Sequence, residues 1–116
     1  PIAPPEEEEE EQVIHVRVEK APEFPGGQDA LNRFLVRNIK YPLLAQENGI
    51  QGRVVCQFVV NTDGSIVDIV VVRGVEESLD KEAVRVIKSM PKWVPGRQGG
   101  KAVRVKFTQM IRFKLQ

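Results

Sequence analysis

The chain is 116 residues long, 41% hydrophobic and 28% charged, with a formal net charge of +1. That length holds one ordinary domain and not two, and the composition excludes wholesale disorder. One cysteine and one histidine exclude a disulfide framework and any zinc site built within a single chain. No apolar run approaches the ~20 residues a membrane span needs, so this piece reads as soluble. It shows no signal peptide and opens on Pro1, so it also reads as an excised or processed part of something longer.

The small net charge hides an asymmetry. Six of the 16 acidic residues form one run, Glu6 to Glu11, and from Lys81 to the end ten bases face a single acid, Glu82. The basic C-terminal third suggests an acidic or polyanionic surface nearby, or merely a solvated face.

Residues 1–12 (PIAPPEEEEEEQ) read as the end of a linker, because proline holds the backbone extended and adjacent glutamates repel one another. The folded domain is then 13–116. Residues 13–18 (VIHVRV) predict a strand with Ile14, Val16 and Val18 on one face and His15 and Arg17 on the other. The breaker segment KAPEFPGG (20–27) leads into a helix from Gln28 to Ile39, where Leu31, Phe34, Leu35 and Ile39 form a stripe. Tyr41-Pro42 stops that helix, and Pro42 fits the first turn of a short helical piece, Leu43 to Glu47, closed by Asn48-Gly49.

Next, Val54, Cys56, Phe58 and Val60 alternate with Val55, Gln57 and Val59, as in a strand. Asn61-Thr62-Asp63-Gly64 is turn chemistry, and the return strand runs from about Ile66 to Arg73. If Ile66 and Ile69 both face the core, their spacing implies a bulge near Val67-Asp68. Ser78 reads as the N-cap of a second helix, with Asp80 and Glu82 in its first turn and Leu79, Ala83, Val86, Ile87 and Met90 on its apolar face. Pro91 ends it. Residues 91–101 (PKWVPGRQGGK) read as an irregular loop pinned to the body by Trp93.

The last strand, Ala102 to Leu115, carries Val103, Val105, Phe107, Ile111, Phe113 and Leu115 on one face and Arg104, Lys106, Thr108, Met110, Arg112 and Lys114 on the other; only Gln109 interrupts the apolar face. The predicted fold class is α+β: a small antiparallel sheet, made of the hairpin and a long C-terminal edge strand, with two helices packed on one face. Its fixed positive charges fit the usual protection of an edge.

No residue set makes a credible active site, so the chain does not read as an enzyme. His15 reads as a surface histidine without an acidic partner. Cys56 reads as a buried thiol packing like a small hydrophobe, without the activating base a nucleophile needs. Asp63-Gly64 has too few oxygen ligands around it for calcium, and the Gly-Gly pairs at 26–27 and 99–100 match no phosphate loop. No metal and no cofactor are implied. The basic third could neutralise phosphates, but Phe107 and Phe113 share the face expected under the helices, which leaves no stacking platform. Nucleic acid therefore ranks well behind a protein partner. What remains is the edge strand, onto which a partner peptide can add through main-chain hydrogen bonds.

The stretches PEFPGG (22–27), NIKYP (38–42), GIQGRVVCQFVVNTDGSIVD (49–68), RGVEESLDKEAVRVIKSMPKWVPGRQGGKAVRVKF (73–107) and the closing IRFKLQ resemble the C-terminal periplasmic domain of the TonB energy-transducer family, in its Bacteroidetes-type form. The likeness covers roughly residues 20–116, and several blocks match in order. It implies a TonB/TolA C-terminal-like fold and a parent protein anchored in the inner membrane by a single helix and driven there by an ExbB/ExbD-type motor. It also implies a Pro-rich periplasmic spacer and capture of the TonB box, a short peptide of an outer-membrane receptor, as an added strand.

Carried onto this sequence, the peptide-binding edge comprises Ala102, Val103, Arg104, Val105, Lys106, Phe107, Thr108, Gln109, Met110 and Ile111, with Ile39 and Lys40 close to it. The resemblance gives Tyr41-Pro42, Gly52-Arg53, Asp63-Gly64 and Pro95-Gly96 structural roles. Gln109-Met110 departs from the family, which often has an apolar residue followed by proline there. A long exposed edge also permits strand-paired homodimers. The alternative reading is the same domain fused to a membrane sensor or peptidase-like protein, with a signalling role.

Overall fold

The structure is a computed structural model and describes residues 13–116; the expected linker, residues 1–12, lies outside the described residues. The elements are β1 (Ile14–His15), α1 (Gly27–Asn38), α2 (Leu43–Glu47), β2 (Gly52–Val60), β3 (Ile66–Arg73), α3 (Glu77–Lys88), β4 (Gly96–Gln98) and β5 (Lys101–Phe113). In the sheet the order is β1-β5-β2-β3, with β4 paired to β5. β2 pairs antiparallel with both β3 and β5, and β1 lies parallel to β5, so the sheet is mixed rather than purely antiparallel. β3 and β5 therefore run parallel, and α3 is the crossover between them.

The period-two pattern of β2 does what it predicts. Val54, Cys56, Phe58 and Val60 are fully buried, and their partners across the ladder are Ile111, Gln109, Phe107 and Val105. This face packs under the helices, where Leu31 and Leu35 of α1 and Leu79, Ala83, Val86 and Ile87 of α3 complete the core with Ala45, Phe24, Trp93 and Phe113. Each large aliphatic side chain buried this way contributes about 1.5–3 kcal/mol relative to exposure. Trp93 is 3% exposed and meets Phe24, Phe58 and Phe107 with ring centroids 5.9, 5.4 and 5.0 Å away, so it pins its loop as expected.

The bulge in β3 is present. Gln57 pairs with Val70 and Val59 with Val67, and Asp68 adopts φ +54, a left-handed conformation rare for a residue with a side chain. A second register shift lies between Val55 and Cys56. β5 against β2 has none: its nine consecutive pairs run from Gly52–Phe113 to Val60–Val105.

Three local expectations are corrected. The N-cap of α3 is Glu76, not Ser78, because the Glu76 carboxylate reaches the Ser78 backbone N–H and also accepts from its hydroxyl at 2.6 Å. The 13–18 segment keeps only Ile14–His15 as strand, and Val16 is 74% exposed, so the apolar stripe there buries little. Residues 96–98, read as loop, form β4. They fold back on Lys101, Ala102 and Val103 through Gly99-Gly100, whose φ values of +59 and +79 suit a two-residue hairpin turn. The short helical piece expected at Leu43 to Glu47 is present as α2. It is held where Tyr41 donates its hydroxyl hydrogen to the Ile50 carbonyl and sets its ring edge-on to Phe113.

Three carboxylates tie backbone and side chains together and are depressed by it. Hydrogen bonds from Ser65 lower Asp63, and those from Ser78 lower Glu76. Burial pushes Glu82 up, but hydrogen bonds from Arg85 and the Lys40 N–H, with the Arg85 charge, outweigh it and hold Glu82 low. A carboxylate with a depressed folded-state pKa adds stability above its unfolded value and loses it as pH falls through the folded one. Urea midpoints should therefore hold steady near neutrality and fall on acidification below the ordinary glutamate range. In the Glu82→Gln variant, the acid-induced part of that fall should be smaller.

Candidate functional site: the outer side of the last strand

Among the described residues, the outer side of β5 has one strand on it. Val105 pairs with Val60 on one side and with His15 on the other, so β1 lies opposite β2, at Arg104 and Val105 only. β4 takes Lys101 to Val103. From Lys106 to Phe113, β2 is the sole strand partner of β5 among the described residues.

The hydrogen-bond phase tells which backbone groups are open. Asn61 donates its N–H to the Ser65 carbonyl at 2.8 Å, which turns Asn61 toward β3 and the preceding Val60 toward β5. Val60 pairs with Val105, and the ladder has no register shift. Val105, Phe107, Gln109 and Ile111 therefore direct their N–H and C=O groups to β2. Lys106, Thr108, Met110 and Arg112 direct theirs outward, where the parallel pairing of His15 with Val105 takes the Lys106 N–H and leaves its carbonyl and the groups of the other three open. One of these outward acceptors is covered from within: the Gln109 carboxamide donates to the Met110 carbonyl at 2.8 Å.

The opposite sheet edge, β3, differs. Its two register shifts and the left-handed Asp68 break the spacing of its backbone groups, a device that discourages pairing with another chain. The unbulged edge of β5 has no such defence beyond its charge.

The residues singled out from the sequence thus divide. Ala102 and Val103 pair with β4, and Arg104 and Val105 meet β1. Lys106, Phe107, Thr108, Gln109, Met110 and Ile111 lie along the stretch without a second strand. Ile39 caps α1 and, with Leu35 and Val36, walls a groove of about 350 Å³ beside Gln109–Arg112. Lys40 is exposed and its N–H is held by Glu82 of α3. Arg112 and Phe113, beyond the stretch carried over from the family, continue the open edge. The regular alternation through residue 115 was the signal for that extension.

Among the described residues no three metal-ligating side chains cluster, and no helix is long and apolar enough to cross a membrane. Cys56 is fully buried; burial first and the Asp80 charge second push its thiol up to about 11. A thiol reagent at pH 8 should leave the folded protein unmodified and react once urea unfolds it; rapid labelling of the native state would show that the sheet opens locally.

Fold and edge together define the class: a small α+β domain with helices on one face of a mixed sheet and a long C-terminal strand open along much of its outer side. The chain belongs to the TonB C-terminal family, since residues 37–115 match the family model for the Gram-negative bacterial TonB protein C-terminal. Protein TonB of Pseudomonas aeruginosa is 40% identical over 78 residues, which are 66% of this chain and 22% of that protein. Protein TonB of Helicobacter pylori strain J99 is 43% identical over 51 residues, covering 43% of this chain and 18% of that protein. The chain thus spans about a fifth of the length of these curated relatives. The solution structure of the H. pylori TonB C-terminal domain superimposes with a TM-score of 0.60 at 29% identity, covering 79% of this chain and 87% of that one. That of P. aeruginosa gives 0.55 at 36% identity, covering 66% and 78%.

Proposed function

We propose that this domain is the receptor-docking end of a TonB-type energy transducer. It captures the TonB-box peptide of an outer-membrane receptor as a strand added to β5 from Lys106 to Phe113, a narrower and slightly shifted stretch than Ala102 to Ile111. The parent protein is anchored in the inner membrane by one helix, coupled there to an ExbB/ExbD-type motor, and the domain works in the periplasm. The observation that carries this reading is the unbulged, outward-facing backbone of Lys106, Thr108, Met110 and Arg112.

The energetics suit the role. Each main-chain hydrogen bond to an incoming strand contributes about 0.5–1.5 kcal/mol net, and ordering the peptide offsets part of the sum. Affinity is therefore modest. A strand pulled along its own axis loads its hydrogen bonds in shear together, so the link can bear force out of proportion to its equilibrium strength. The same edge can pair with a second copy of the chain, and peptide should then compete with self-association.

Calorimetric titration with TonB-box peptides tests the reading, with saturable binding expected at micromolar concentrations or above. The absence of binding across a panel of such peptides would overturn it. Gln109 should oppose capture, because its carboxamide already occupies the Met110 carbonyl. Gln109→Ala should tighten binding about two- to tenfold, the equivalent of one such hydrogen bond. Unchanged or weaker binding would mean that the carboxamide does not compete.

A further inference from the structure

The open edge has two unlike flanks, and they specify what an added strand must carry. On the helix side, α1 runs beside β5. Leu35, Val36 and Ile39 form the apolar wall of the groove along Gln109–Arg112. Val36 is 83% exposed, an aliphatic side chain on this wall with little of the protein covering it. On the other face of the sheet, the edge presents Lys106 and Arg112, separated by the neutral Thr108 and Met110. Neither cation has an ion-pair partner among the described residues. Six residues of strand set them ~20 Å apart.

Side chains of an added strand alternate between these flanks, and those level with a given β5 residue share its face. We infer that the partner segment is an extended peptide with one apolar face, seated against Leu35, Val36 and Ile39, and carboxylates near the two ends of its other face, level with Lys106 and Arg112. The inference rests on the strand-docking reading and adds the chemistry of the partner to it. Charge complementarity favours this occupant: the two unpaired cations would repel a basic peptide and leave an uncharged one without end-to-end register. Flipping a peptide about its axis exchanges its faces, so alternation itself is required, whichever residue comes first.

The test uses the 116-residue chain and two synthetic peptides of identical composition. One alternates valine or leucine with polar residues and carries glutamates six positions apart on the polar face; in the other the same residues are arranged as an apolar block followed by an acidic block. Backbone amide shifts report docking, and titration reports affinity. The alternating peptide should bind at least tenfold more tightly. Val36→Gln, at an exposed helix position, should weaken it about fivefold. The double variant Lys106→Glu, Arg112→Glu should come to prefer a version with lysines in place of the glutamates. If both peptides shift the 106–112 amides with equal affinity and the variants change nothing, this inference fails while strand docking stands. If neither peptide shifts those amides, strand docking fails, and this inference with it.

Discussion

Gly64→Ala should destabilise the domain by about 3–5 kcal/mol, a large share of the 5–15 kcal/mol typical of a whole domain. Gly64 is buried in the β2–β3 turn with φ +87, a conformation that costs any other residue free energy. The larger cost is steric. A Cβ there would lie 2.1 Å from the Trp93 carbonyl oxygen. The two backbones are joined where Trp93 donates its N–H to the Gly64 carbonyl at 2.9 Å, so neither can move alone. Displacing Trp93 would loosen its contacts with Phe24, Phe58 and Phe107 together. Urea unfolding should show the midpoint falling with little change in slope. A loss under about 1 kcal/mol would mean that the Trp93 segment relaxes freely and is not the clamp it resembles.

The second large effect falls on binding. Thr108→Pro should weaken peptide capture tenfold or more while sparing the fold. The Thr108 N–H points outward beyond the reach of β1, so proline removes a donor from the docking edge and none from the β2 or β1 ladders, and its ring obstructs the incoming strand. Phe107→Pro is the contrasting change: that N–H belongs to the β2 ladder and the side chain packs on Trp93, so it should unfold the domain. Circular dichroism and calorimetry on the two variants separate these outcomes. Normal capture by a folded Thr108→Pro protein would mean that the wrong side of β5 has been assigned.

Features of this fold differ in how visible they are in the sequence. The β2–β3 hairpin, the stripes of α1 and α3, and even the bulge at Asp68 were legible, because each follows from the spacing of apolar residues within one segment. The place of Trp93 was legible because a lone tryptophan in a Pro/Gly-rich loop has few other ways to be buried. β4 was not. Gly96-Arg97-Gln98 has no strand pattern of its own and is held by Lys101–Val103 on one side and by Lys20 on the other, both distant or reversed in sequence. The cap of α3 moved because a glutamate two residues upstream outcompeted a serine with better cap propensity.

The candidate site divides the same way. Alternation along residues 102–115 announced a long strand with one buried face. Occupation of its first part by β1 depends on a pairing of Ile14 and His15 with Arg104 and Val105 from the far end of the chain, which periodicity cannot register, and β4 pairs there through a short hairpin with no strand pattern of its own. Nor does any local pattern reveal that the Gln109 carboxamide turns back onto the Met110 carbonyl. That contact needs the coordinates of a side chain, not its identity.

Hydrogen exchange resolved by residue, with and without a saturating TonB-box peptide, examines the docking edge most directly. The amides of Thr108, Met110 and Arg112 should exchange readily in the free protein and slow strongly when peptide binds. Those of Phe107, Gln109 and Ile111, already bonded to β2, should change little. The result in contradiction would be uniform behaviour along β5, or new protection confined to the β3 edge.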